Sequence, residues 1–539
     1  MKKYLYFAAA AALFFSSCSG GNSYELKKEY TDKPARGDIL IEGSIGEPST
    51  LNPVLASDSA SHDITGLIFN GLVKYDKALK LTGELAKSWN ISNDGLVITF
   101  KLRKNIKFHD GVEFTSKDVK FTYEKYVDPS VKTAYRSLFE LVDRVETPDK
   151  YTVKVYYKKP YAPALETWTA SVIPAHIYGE GDFNKSPYNR KPTGTGPYVF
   201  KEWATADKIV LEANPAYFEG EPYISGYIYR VIPDMSVMFM ELASGSIDMM
   251  GLTSDLYLGK ASEKPFGQRF NKFKYPSFSY TYIGYNMERD LFKDARVRKA
   301  LCYAIDTKTI IQGVRGGLAE PATGPFIPGS WAYNEEVEPY PYDTQKAAKL
   351  LSECGWKRNK KGILEKNGRK FKFTLMTNNG NKEREQIATI AQEQFGKLGI
   401  KVNIKIIEWN VFLSQYIDRK DFDAVVMGWS LSRDPDCYDI WHSSKNREGQ
   451  FNFVSYKNKE VDRLLEEGRT TFNREKRAGI YKKIHKIIAD EAPYTFLYNA
   501  YSLPAVHKRI HNIKPEAAGI SYNFTKWYVP KELQKYKVY

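Results

Sequence analysis

The chain has 539 residues, of which 42% are hydrophobic and 14% aromatic, and a formal net charge of +15. That length exceeds what one hydrophobic core usually holds, so two or three lobes are expected. Lysines and arginines are interleaved with acids, as in EKNGRKFKF and NKEREQ; this is the pattern of solvated faces, and it disfavours nucleic acid as a partner.

Lys2-Lys3 precede an apolar run from Tyr4 to Phe15, which closes on Ser16-Ser17-Cys18. The run is shorter than the ~20 residues that span a bilayer and fits the hydrophobic part of a signal peptide, so residues 1–17 are expected to be removed. The small-small-cysteine ending resembles a bacterial lipobox, with Phe15 where leucine is more common. Cys18 is therefore expected to carry a lipid, and residues 18–37, with Gly20-Gly21, read as a lipidated tether to a membrane. No later stretch is long and apolar enough to span a bilayer. Cys302, Cys354 and Cys437 are far apart in sequence and odd in number, which leaves at least one unpaired and suggests neither a metal cluster nor a disulfide scaffold. His507 and His511 have helical metal-clamp spacing, but Lys508-Arg509 and nearby prolines favour a loop or strand. No metal site and no cofactor are expected.

Ile39 to Glu42 begins a strand. Gly46 to Pro53 leaves it as an extended segment whose Pro48 and Pro53 hold the chain open and could leave its backbone groups to a ligand. Trp89 to Ile91, the turn Asn93-Asp94-Gly95 and Val97 to Leu102 read as a hairpin, with Ile98, Phe100 and Leu102 on one face. Phe108-His109-Asp110-Gly111 is a turn, and Thr115 caps a helix with Asp118 in the capping-box position.

Later, Phe371, Phe373 and Leu375 alternate as in a strand, and Ile387, Ala391, Phe395 and Leu398 follow helical spacing up to Gly399, placed to end that helix in the left-handed conformation. Val402, Ile404 and Ile406 alternate again and run out at Glu408-Trp409. The apolar run Ala424 to Met427 reads as a strand buried on both faces, breaking at Gly428 into Trp429, Ser430, Ser432 and the turn Asp434-Pro435-Asp436. This order of strand, helix, strand, helix, strand makes an α/β lobe with some parallel pairing. Ligands in such sheets sit outside the carboxyl ends of the strands, where Trp409 and Trp429 both fall. No Walker A, His-Glu-x-x-His or Gly-x-Ser-x-Gly motif is present, and Pro197 removes an amide that a phosphate loop at GTGPYV would use. No enzymatic activity is expected.

The stretch GELAKSWNISNDGLVITFKLRKNIKFHDGVEFTSKDVKFTYE closely resembles the signature of the family 5 extracellular solute-binding proteins, the binding components of bacterial peptide, and sometimes nickel or oligosaccharide, ABC importers. PTGTGPYVFKEW, LEANPAYFEG, LASGSIDM, FKDARVRKALCYAIDTKTI, FVSYKNKEVDRLLEEGR and ADEAPYTFLY carry the resemblance through most of the chain. It implies an α/β fold, a two-lobed periplasmic-binding-protein clamp of type II, cluster C. The first lobe would comprise residues 38–76, 192–280 and 498–539, with an additional domain at 77–191 and a second lobe at 281–497. The implied function is the substrate-binding component of an ABC importer that takes extended oligopeptides; the alternative is an oligosaccharide or nickel-complex binder.

The resemblance further implies a monomer outside the cytoplasm, in the cell envelope, working with ABC permease subunits. By the same resemblance, the ligand's main chain pairs with Glu47, Pro48 and Ser49 on one side and with Gly428 to Ser432 on the other. Trp409 and Trp429 line side-chain pockets, and Tyr498 or Tyr501 makes a further contact. Dipeptide-binding members carry an aspartate three residues after the equivalent of Trp429, where this chain has Ser432. Asp434 follows at a different spacing, so the amino end of a ligand is expected in water or at a loose site.

Overall fold

A computed structural model describes residues 32–536; the expected leader and the lipidation site at Cys18 lie outside them. Two mixed sheets organise the chain. The first runs in the order Phe270–Lys272, Pro504–His507, Met249–Gly251, Gly37–Ser44, Ile224–Val231, Lys208–Ala213 and Tyr198–Ala204. Its centre is the parallel pair Gly37–Ser44 and Ile224–Val231, which contains the strand expected at Ile39 to Glu42. Arg509 ties the end of the chain to this sheet. Its guanidinium donates to both oxygens of Asp248, at 2.8 and 2.6 Å, and to Asp38. All three residues are buried.

The additional unit is a four-stranded antiparallel sheet, ordered Ala86–Ile91, Val97–Leu102, Thr152–Tyr157 and Val142–Asp149. The predicted hairpin is its first pair, with Gly95 at φ 71° in the turn and Ile98, Phe100 and Leu102 buried. Thr115 caps the helix Ser116–Val127 with the full capping box: the Asp118 carboxylate accepts the Thr115 amide at 2.8 Å. Ile98 and Phe100 share one continuous core with Leu40 and Tyr227 of the first sheet, so this unit is packed onto the first lobe. The GTGP loop is part of that join. A Cβ on Gly194 would lie 2.0 Å from the Ile68 carbonyl oxygen, and the Gly196 amide donates to the same carbonyl at 2.8 Å. These glycines permit close packing on the end of a helix.

The second sheet runs Tyr275–Pro276, Tyr494–Ser502, Ser279–Tyr285, Ala424–Ser430, Lys372–Asn378 and Lys401–Ile407, with Ala319–Pro321 also beside Tyr494–Ser502. Lys372–Asn378 pairs in parallel with both of its neighbours, as the strand–helix–strand order requires. The helix Lys382–Lys397 lies between the first two strands of that series, and Gly399 follows it at φ 87°. Ala424 and Val426 enter one core cluster, and Val425 and Met427 another on the opposite face, so the strand is buried on both sides as its apolar run predicts.

Three details differ from the sequence reading. The strand does not break at Gly428: pairing continues through Gly428–Thr281, Trp429–Tyr280 and Ser430–Ser279, so Trp429 lies within the strand and not past its end. Ile406 is 48% exposed, because its strand is the edge of the sheet. Strand pairing also places the two crossings between sheets at Lys274 and Leu503, since Tyr275–Pro276 and the whole of Tyr494–Ser502 belong to the second sheet; the expected limits at 280 and 498 fall inside paired strands. Replacing Arg509 by Met strands two buried carboxylates in the first lobe. The expected cost is about 3–5 kcal/mol of stability, read by urea denaturation.

Candidate functional site

The strand Ala424–Ser430 leaves one edge uncovered at Gly428 and Ser430. The Leu431 amide donates to the Phe278 carbonyl at 2.7 Å. In an antiparallel ladder only alternate residues turn their N–H and C=O to one partner, so Met427 and Trp429 face Ser279–Tyr285 while Gly428 and Ser430 face the other way. On that other edge Lys372–Asn378 pairs only through Leu375–Ala424 and Met376–Val425, after which the Thr377 hydroxyl donates to the Val426 carbonyl at 3.0 Å. Among the described residues no strand continues the pairing along Gly428 and Ser430. A Cβ on Gly428 would meet the Tyr280 carbonyl oxygen at 3.0 Å and Arg384 Nη2 at 3.2 Å, which accounts for the glycine without a break in the strand.

Arg384 is the residue that sequence reasoning missed. In NKEREQ it reads as one more solvated charge. The fold turns it inward from the first turn of Lys382–Lys397, where Nη1 donates to Asn378 Oδ1 at 2.9 Å. Burial lowers its pKa from the ordinary arginine value, and no carboxylate lies within ion-pair distance of it among the described residues. Its neighbour Glu383 is engaged by Arg315 at 2.6 Å.

The lobes meet over this edge. Trp409 begins a short helical turn capped by Glu408, and a Cβ on Gly46 of the first lobe would lie 3.9 Å from its Cδ1. The Ser254 amide donates to Glu383 Oε1 at 3.2 Å across the same boundary. The additional unit also reaches the second lobe: Arg469 Nη2 donates to the Ser137 carbonyl at 3.0 Å and the Tyr161 hydroxyl at 3.2 Å. Lys445 pairs with Glu140, and the rings of Tyr135 and Phe451 meet edge-on at 5.2 Å.

The other expected residues are placed unequally. Glu47 Oε1 accepts from Trp203 Nε1 at 2.7 Å and from the Ala206 amide at 3.2 Å. Pro48 is buried and Ser49 exposed. The amides of Ser49 and Thr50 donate to the Ser61 hydroxyl at 3.0 and 3.3 Å, so these two N–H groups are satisfied within the chain. Trp429 is half-buried: its indole N–H reaches the Tyr494 hydroxyl at 3.2 Å, and Phe451 and Phe453 flank it. Ser430 and Ser432 are exposed. Asp434 is not a free charge, because Arg477 holds it through two bonds of 2.5 and 2.6 Å. Tyr498 is 2% exposed and belongs to the second-lobe core, with Arg315 above its ring. Cys302, Cys354 and Cys437 are buried free thiols. His507 ends a strand and His511 bridges to Tyr528.

Residues 80–451 match the bacterial extracellular solute-binding proteins, family 5 middle region. The chain belongs to this family. It is 40% identical over 536 residues to the oligopeptide-binding protein AppA of Bacillus subtilis (strain 168), covering 96% of this chain and 97% of that one. The structure of B. subtilis AppA in complex with a nonapeptide superposes with a TM-score of 0.88 at 38% identity, over 93% of this chain and all of the other. DppA of Helicobacter pylori in complex with the peptide STSA has a TM-score of 0.84 at 27% identity, over 92% of this chain and 99% of its own. NikZ of Campylobacter jejuni, in complex with Ni(L-His), also has a TM-score of 0.84, at 29% identity over 91% and 99%. The two-lobed clamp is thus the family 5 fold.

Arg384 gives the first prediction about this site. A half-buried cation without a carboxylate partner costs stability and binds anions well. Arg384→Met is expected to leave the empty protein at least as stable in thermal melts. It should weaken any ligand that presents a carboxylate there by about tenfold or more, roughly 1.4 kcal/mol, as read by calorimetry.

Proposed function

We propose that this family 5 protein encloses an extended oligopeptide between its lobes and delivers it to the permease of an ABC importer. The uncovered backbone of Gly428 and Ser430 carries this reading. It offers a peptide main chain the strand partner that the sheet itself lacks, which gives affinity without reading side chains. Trp409 and Trp429 stand beside that edge as walls for ligand side chains, and Ser430 and Ser432 border it as exposed hydroxyls. Arg384 supplies a positive pole at the Gly428 end. The resemblance to a nonapeptide-binding relative over nearly the whole chain supports the same substrate class, and the role is binding without catalysis. The lobe limits proposed are those of the resemblance, with the crossings moved to Lys274 and Leu503.

Mass spectrometry of ligand retained on the purified protein tests the reading. Peptides of mixed sequence are expected; a uniform sugar or a nickel complex would replace it, and turnover products would indicate an enzyme. The protein is further proposed to act as a monomer on the outer side of a bacterial membrane, held by a lipid on Cys18. Two or more acyl chains suffice for stable anchoring. Cys18→Ser is expected to abolish incorporation of labelled palmitate and to leave the precursor unprocessed at that site.

A further inference from the structure

In sequence, EKNGRKFKF is a solvated mixture of signs, but the fold gathers its cations onto one small unit of the second lobe. Lys357–Arg358, Leu364–Lys366 and Arg369–Lys370 form a three-stranded antiparallel ribbon. Asn367 and Gly368, with positive φ of 51° and 77°, make its two-residue turn, the Asn-Gly pair that primed hairpin turns favour. Trp356 and Leu364 sink into the second-lobe core, where the Trp356 ring meets Phe371 at 4.6 Å. The Leu364 amide donates to the Gly399 carbonyl at 2.8 Å. The ribbon is thus pinned at its base, with its charged residues left to water.

Residues 357–372, KRNKKGILEKNGRKFK, hold eight lysines and arginines and one carboxylate, Glu365. All eight cations are exposed. Among the described residues only Arg369 reaches an acid, Asp290 at 3.3 Å, and Asp290 also holds Lys293 at 2.7 Å. Strand register adds to the repulsion: Lys366 stands opposite Arg369, and Lys372 stands opposite Lys401 in the main sheet. Like charges directly opposite are destabilising, and a surface that served solubility alone would mix the signs. Lysines also guard sheet edges against unwanted pairing, but Lys360-Lys361 lie in the loop between two strands, where there is no edge to guard.

We propose that this ribbon is a second membrane contact, which lays the second lobe against the anionic headgroups of the bilayer that carries the lipid anchor. The proposal rests on the reading that Cys18 holds the chain at that bilayer. A lipid there acts through the tether of residues 18–37, so alone it fixes neither which lobe faces the membrane nor how near that lobe lies. A lysine and arginine cluster on an anchored protein adds an attraction to anionic lipid that falls off within a Debye length, ~8–10 Å at physiological salt. The ribbon suits that range because its cations are exposed and nearly all unpaired. Its apolar residues Ile363 and Leu364 are buried, so the contact is electrostatic and inserts nothing into the bilayer.

The test is co-sedimentation of a chain of residues 19–539, which keeps every described residue and lacks leader and anchor, with two kinds of vesicle. One is phosphatidylcholine alone, and the other is phosphatidylcholine mixed with phosphatidylglycerol. Binding is expected only to the anionic vesicles and should fade as salt is raised. Each lysine at such a surface is worth about fivefold in affinity. The combined variant Lys360→Gln, Lys361→Gln, Lys366→Gln and Lys370→Gln should therefore bind about twentyfold or more weakly, even with half of these lysines at the surface. The control removes the same charge from exposed lysines of the additional unit, by Lys87→Gln, Lys107→Gln, Lys117→Gln and Lys132→Gln, and should cost less than about threefold. Melting curves check folding, and the loop pair Lys360→Gln with Lys361→Gln carries the test if the fourfold ribbon variant fails to fold. No binding to anionic vesicles, equal binding to both vesicles, or equal loss in ribbon and control variants overturns the contact. Ribbon-dependent binding without palmitate on Cys18 in cells overturns the anchor alone.

Discussion

The molecule depends on a strand that the sheet leaves half-paired. Ala424–Ser430 is locked on one edge to Ser279–Tyr285 along its whole length, but on the other edge only as far as Val425. Backbone groups along that edge need partners, and among the described residues Gly428 and Ser430 are given none by a neighbouring strand. A ligand's main chain answers that need with groups every peptide has, whatever its side chains. In the proposed reading the surroundings add what the backbone lacks: aromatic walls at Trp409 and Trp429 and a cation at Arg384.

Exposing such an edge to water would invite unwanted pairing, and the fold answers by closing over it. The additional unit and the first sheet share one hydrophobic core, whereas the second lobe has its own cores on the two faces of its sheet. What joins the two bodies is largely polar. Arg469, Lys445 and Asp439 of the second lobe meet Ser137, Glu140 and Tyr161 of the additional unit. Polar contacts of this kind exchange for water at modest net cost.

Local chemistry made much of the fold legible. The both-faces burial of Ala424 to Met427, the Thr115–Asp118 capping box and the left-handed Gly399 each follow from a few neighbouring residues, and each is found. The proposed site was legible only where it coincides with such elements, at Trp409 and along Gly428 to Ser432. Charges were not. Asp434 reads as free until Arg477, 43 residues on, takes both of its oxygens. Arg384 reads as solvated in NKEREQ until the turn after Asn378 folds it inward. Burial of a charge is decided by distant segments, whereas hydrophobic period and capping are decided by near ones.

The central claim is that main-chain pairing along Gly428 and Ser430 supplies the affinity. An N-methylation scan of a bound oligopeptide tests it most directly, since each methyl removes one backbone donor and leaves the side chains alone. Strand pairing uses alternate residues, so losses of about tenfold or more should recur at every second amide over the stretch facing this edge, with small effects between. A flat profile, with affinity following side-chain substitutions instead, would contradict the account.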